Sequence, residues 1–208
     1  MTPDAVVHLL AFAVRAEDHF TAEPVDETLD VTLDTGEPPV TSREGGTRHG
    51  DGTYRWANLP GGARRLTVRS TSGRWVRWDP SPIDLVIPVA EPTEPVRVEM
   101  WPTPRAAPVA PALRGKLVGA AVAGLRVEIR GTGDPATGQF TRADEQGELL
   151  YPLAGRVWPM DGAGRLDLTV VVPGRTVSAV AVWPDPPAAG DQLLVPADRT
   201  SRVLIHVT

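Results

Sequence analysis

The sequence predicts an all-β protein built as two tandem antiparallel β-sandwich domains. Three observations lead there. Apolar and polar residues alternate with period two along much of the chain, Gly and Pro punctuate it at short intervals, and the second half repeats landmarks of the first in the same order.

Taken in order, Leu29, Val31 and Leu33 alternate with Asp30, Thr32 and Asp34, and Leu66 and Val68 alternate with Arg65, Thr67 and Arg69. Val96, Val98 and Met100 alternate with Arg97 and Glu99. In the second half Leu125, Val127 and Ile129 alternate with Arg126, Glu128 and Arg130, and the same rhythm returns at Leu166, Leu168, Val170 and at Val203, Ile205, Val207. Successive side chains of a strand point to opposite faces, so each stretch buries one face and wets the other. That is the signature of antiparallel sheets packed face to face. The one helical candidate is Ala5–Arg15, where Val6, Leu9, Leu10 and Ala13 would share a face. Its β-branched and aromatic residues favour a strand, and so do its neighbours.

Composition agrees. At 208 residues the chain suits two domains of about 100 residues each. The 22 Pro and 20 Gly are spread as turns and not clustered as a low-complexity tract. Lys116 is the only lysine among 21 basic residues, a codon bias of GC-rich bacterial genomes that says nothing of function. With a net charge of −5 and no basic stripe, the chain is not expected to bind nucleic acid. There is no cysteine, which excludes disulfides, thiolate metal sites and cysteine nucleophiles. The apolar stretch Ala5–Val14 is interrupted by His8 and preceded by Asp4 with no basic residue, so it does not read as a signal peptide. No run approaches the roughly 18 apolar residues of a membrane span. A cytoplasmic location is the resulting expectation.

Five matches in one order imply duplication. Asp84–Ala90 followed by Val96–Met100 matches Gln192–Asp198 followed by Val203–Val207, and Leu29–Leu33 matches Leu125–Ile129. Gly52-Thr53-Tyr54 corresponds to the Gly147–Tyr151 stretch, Leu59–Gly62 to Leu153–Gly155, and Gly73–Val76 to Gly174–Val177. The expected modules are residues 1–103 and 112–208. They are separated by a Pro-rich linker over 104–111, read as an extended, semi-rigid connector.

The segment Asp51–Val68, with its Gly-x-Tyr strand and Leu59-Pro60-Gly61 turn, resembles the carboxypeptidase regulatory-like modules of the transthyretin-like (prealbumin-like) superfamily. Leu113–Val118, Val127–Ile129 and the Thr-x-x-Asp-x-x-Gly turn at Thr141–Gly147 resemble the same family in the second half. Two departures stand out: Gly62-Ala63 where the family carries an aromatic, and Ala154-Gly155 where it carries Pro-Gly. In such a turn Asp caps the reversal and Gly takes the positive-φ position. The opening Ala11–Val25 is similar to accessory proteins of contractile phage-tail-like particles, which would imply a structural place in a multiprotein particle.

No catalytic constellation is legible. His8, His19, His49 and His206 are scattered without metal-ligand spacing. His19 beside Glu17 and Asp18 reads as a polar turn, and His206 as a solvent-facing strand residue. Asp144 and Glu148 around Gly147, like Asp51 and Arg55 around Gly52, read as turn-capping pairs and not as a calcium loop. Nucleophile-elbow and phosphate-loop motifs are absent, as is the Tyr-Arg-Gly-Ser tail of transthyretin-fold hydrolases. No catalytic residue, cofactor or metal is expected. Six tryptophans remain, of which Trp75, Trp78, Trp101 and Trp183 are candidate interface residues. Trp75 and Trp78, three apart, face opposite sides of a regular strand; Trp101 and Trp183 precede prolines at strand ends.

Three functions compete. The first is a non-enzymatic structural or adaptor component of an assembly such as a phage-tail-like particle, with protein partners or self-association. The second is a carbohydrate- or peptide-binding module, and the third an enzyme whose site sequence spacing does not show.

Overall fold

In the computed structural model, residues 10–34, 43–89, 94–108, 110–135 and 139–208 are described. Among them there is no helix, and the chain divides into two compact units, Met1–Trp101 and Pro102–Thr208. The fold is all-β.

The first unit contains β1 (Leu10–Asp18), β2 (Leu29–Asp34), β3 (Arg43–Gly45), β4 (Thr47–Arg48), β5 (Thr53–Ala57), β6 (Gly62–Ser70), β7 (Trp75–Val76), β8 (Ile83–Ile87) and β9 (Val96–Pro102). They form two sheets, in the orders β4-β5-β1-β9-β7 and β3-β2-β6-β8. The second unit contains β10 (Ala112–Val118), β11 (Arg126–Gly131), β12 (Thr141–Arg142), β13 (Glu148–Pro152), β14 (Arg165–Val171), β15 (Val177–Val182), β16 (Ala188–Ala189), β17 (Gln192–Pro196) and β18 (Thr200–Val207). Its sheets run β13-β10-β18-β15-β16 and β12-β11-β14-β17. Strand for strand, β5-β1-β9-β7 matches β13-β10-β18-β15, and β2-β6-β8 matches β11-β14-β17. Each of the five repeated sequence landmarks falls on a strand, or a strand-flanking turn, at the same place in both topologies.

Alternation builds the cores. Phe12, Val14 and Ala16 of β1 face Leu29, Val31 and Leu33 of β2 in one buried cluster, joined by Leu66, Val68, Val98 and Met100. Phe12 stacks on Trp56 with centroids 4.7 Å apart and planes 9° from parallel, so Trp56 is a core residue. In the second unit Leu113, Leu117, Ile129, Leu149, Leu168 and Ile205 are fully buried. A tyrosine ties the two sheets of each unit together. The Leu29 N–H at the start of β2 donates to the Tyr54 hydroxyl on β5 at 2.7 Å, and the Tyr151 hydroxyl on β13 donates to Ile129 O on β11 at 3.3 Å. Both bonds are buried, where an unpaired group would cost the most.

Within each unit the first and last strands run parallel: Val14 pairs with Val96 through Asp18 with Met100, and Ala112 with Thr200 through Val118 with His206. The other registered pairs are antiparallel. A parallel neighbour needs a crossover. Here the chain supplies one by passing from β8 to β9, and from β17 to β18, between sheets. This also explains the opening segment. Leu10–Asp18 is a strand as expected, and it is an inner strand flanked by β5 and β9. Apolar residues on both its faces therefore belong to the module; residues 5–9 lie outside the described residues.

Two local devices hold elements in place. Glu27, buried beside β6, accepts from the Ser70 hydroxyl, from the Ser72 hydroxyl at 2.6 Å and from Arg74 Nε at 2.9 Å. Burial alone would raise its pKa, but those donors outweigh it and the net direction is down. The expected extended connector is different in kind. Thr103–Ala106 is a closed turn, Ala106 N donating to Thr103 O at 2.9 Å. Ala106 packs with Ala112 and Leu150 in a small satellite core. The Arg114 guanidinium clamps the turn from β10, donating to Pro104 O and Ala106 O, each at 2.8 Å. The Pro-rich stretch thus covers the outer face of its own sheet. Prolines cannot donate to a ladder, but they can lie flat over one.

Candidate functional site

The Asp-x-x-Gly turns are structural. Asp144 Oδ1 accepts from Gln146 N at 2.9 Å and Glu148 N at 2.8 Å, while Gly147 sits at φ 78°. Asp161 does the same for Ala163 N and Arg165 N, each at 2.9 Å. In the first unit His49 N and Thr53 O close the corresponding reversal at 2.8 Å with Gly52 at φ 80°, and Asp51 accepts from Thr53 and Arg55. The Thr53 side-chain and backbone donors, with Arg55 beside them, hold the Asp51 carboxyl down at about 2. These acids are spent on turns. His19 lies in a turn, its ring stacked on Trp101 at 4.5 Å and its Nδ1 3.4 Å from Glu99. His206 is half-buried on the outer face of β18. No group of three or more metal-binding side chains occurs among the described residues.

The tryptophans separate by environment. Trp75 packs half-buried against the core of the first unit, and its indole N–H donates to Asp26 Oδ1 at 3.2 Å. Trp78 and Trp101 come together, centroids 5.8 Å apart and tilted by 55°, with His19 against Trp101. Trp158 is buried, its indole donating to Leu153 O at 2.7 Å and its ring covered by Arg156 at 4.5 Å. Trp183 differs from these: it is 65% exposed. Its backbone is fixed, Trp183 N donating to Arg202 O at 2.8 Å, so the ring projects from an anchored point at the end of β15.

Trp183 stands over an open trough of ≈ 410 Å³ on the outer face of β13, β10 and β18. In the ladder Lys116 lies between Glu148 and Leu204, and Arg114 lies directly beside Arg202. Pro104 from the clamped turn forms a further wall. Like charges on neighbouring strands repel. Among the described residues, no ion pair to a carboxylate is made by Arg114, Lys116 or Arg202. The trough therefore joins an exposed aromatic ring, an apolar floor at Leu204 and two exposed cations, offset in part by Glu148. It is suited to an anionic partner surface with an apolar contact at its centre.

Of the four candidate interface tryptophans, the structure joins two, sets Trp75 against the core and leaves Trp183 alone on a groove. Arg114, Lys116, Arg202 and Pro104 were not singled out from sequence. Alternation places 114, 116, 202 and 204 on solvent faces, but nothing local says that β10 and β18 are neighbours.

No family model matches the chain, and no curated protein does. Solved structures give distant likenesses. The TIE protein of Bacillus anthracis aligns at a TM-score of 0.34 and 10% identity, over 96% of this chain and 34% of that one. The minor pilin of Streptococcus agalactiae gives 0.29 and 9%, over 95% of each chain. The major pilin subunit of Bacillus cereus gives 0.33 and 7%, over 95% and 99%. The chain spans about a third of the length of the first of these. At such values no family is assigned and no function transfers.

Proposed function

We propose that the chain is a non-enzymatic structural or adaptor component of a multiprotein assembly, made in the cytoplasm, which docks a protein partner through the Trp183 groove. The observation that carries this is the anchored, 65% exposed Trp183 beside Lys116 and Arg202 on a preformed surface. Trp and Arg are the residue types that dominate binding energy at protein interfaces. The transthyretin-like resemblance of both halves supports a tandem scaffold. The resemblance of Ala11–Val25 to accessory proteins makes a contractile phage-tail-like particle the first assembly to test.

Wild-type chain in native lysate should sediment with a high-molecular-weight assembly, and Trp183→Ala should reduce the bound fraction about tenfold. A chain that stays unpartnered in native lysate would defeat the proposal. A carbohydrate-binding reading now rests on the same ring, because Trp75 and Trp78 are engaged within their own unit. A glycan-dependent fluorescence change lost in Trp183→Ala would favour it.

A further inference from the structure

The groove's charge says what it can hold, and the rest of the chain offers a match. Residues 1–101 carry 16 Asp and Glu against 10 Arg, whereas residues 102–208 carry 10 against 11 Lys and Arg. The acidity of the first unit is concentrated. From Ala16 to Ser42 there is no Lys or Arg, and Glu23, Asp26 and Asp30 are exposed within that stretch; Asp26 is met by Arg74 at 3.4 Å and Asp30 pairs in the ladder with Arg69, so Glu23 is the acid left for a partner. Glu23 lies on a preorganised turn. Asp18 N donates to Glu23 O at 2.8 Å, Ala22 N to Asp18 O at 2.8 Å, and Phe20 N to the Asp18 carboxylate at 2.9 Å. A rigid turn carrying a carboxylate loses little freedom on docking. On the second unit, the neighbouring Arg114 and Arg202 lack a carboxylate partner among the described residues.

Building on the reading of the groove as a protein-docking surface, we propose that its occupant is a second copy of this chain. The acidic Asp18–Asp30 surface of one copy seats on the Trp183, Lys116 and Arg202 groove of the next. The two surfaces are different patches, so the contact is heterologous. Charge complementarity sets its register, and Trp183 supplies the desolvated centre.

Sedimentation velocity of the full chain tests this, read beside near-UV circular dichroism to show that each variant keeps the native fold. Wild type should associate with rising concentration at low salt and dissociate near about 1 M salt, where the Debye length is roughly 3 Å. Trp183→Ala, the double variant Lys116→Glu with Arg202→Glu, and Glu23→Lys should each weaken association about tenfold or more. Mixing Glu23→Lys chain with the double variant should restore association, because the reversed turn then meets a reversed groove. If the double variant does not fold, Trp183→Ala and Glu23→Lys still decide the matter. A wild type that stays monomeric at low salt overturns the proposal, as do groove and turn variants that associate like wild type. If the monomeric chain nevertheless co-sediments from lysate through Trp183, the groove serves another protein: the self-association is refuted and the adaptor reading stands.

Discussion

At the residue scale, the glycines and aspartates of the turns set local stability. Gly147 sits at φ 78°, and a Cβ there would come within 2.9 Å of Val122 Cγ2 and 3.0 Å of Leu117 O. Gly147→Ala should therefore cost about 2 kcal/mol in urea denaturation, from strained φ and crowding together. Acid should act through the carboxylates. Asp51, whose ordinary value is 3.8, is held at about 2 by Thr53 and Arg55, and Asp79, Asp161 and Glu27 are also lowered. A depressed folded-state pKa means that the unfolded chain takes up protons first. Their stabilisation is thus complete above the ordinary carboxylate range and is lost as pH falls from about 4 towards 2. The urea midpoint should fall across that window, and Asp51→Asn should make the fall shallower. The turn roles of Asp144 and Asp51 were legible because Asx capping needs only a short spacing. The tryptophan environments were not, since whether a ring is covered depends on residues far away in sequence, as Trp101 shows for Trp78 and Asp26 for Trp75.

At the element scale, alternation told which face of each strand is buried but not which strand lies next to it. That is why β1, β9 and β18 were legible as strands while the parallel pairings of β1 with β9 and of β10 with β18 were not. The same limit hid the groove, which exists only because Arg114 and Lys116 of β10 are registered with Arg202 and Leu204 of β18. The stretch 104–111 departs from the expected extended connector for a different reason. Its prolines argue for extension when nothing else binds the backbone, but here Arg114 donates to two of its carbonyls. Removing that clamp should free the turn. In Arg114→Ala, which itself removes the site at Arg114, trypsin should cut after the exposed Arg105 faster than in wild type, at unchanged cutting at the remaining Arg and Lys residues. Across the first sandwich, Tyr54→Phe leaves the buried Leu29 N–H without its acceptor and should cost about 1–3 kcal/mol by denaturant titration.

At the scale of the whole molecule, duplication was the most legible feature. Matches such as Asp84–Val89 with Gln192–Ala197 fall on β8 and β17, which hold the same position in two sheets of the same order. What the sequence could not rank was which tryptophan a partner would meet, and the structure points to Trp183. The direct measurement is hydroxyl-radical footprinting of the free chain and of the chain in its sedimenting assembly. Trp183 should oxidise fastest in the free chain and be protected in the assembly, while Trp56 and Trp158 stay slow in both. Equal oxidation of Trp183 in the free and assembled states would contradict docking through Trp183.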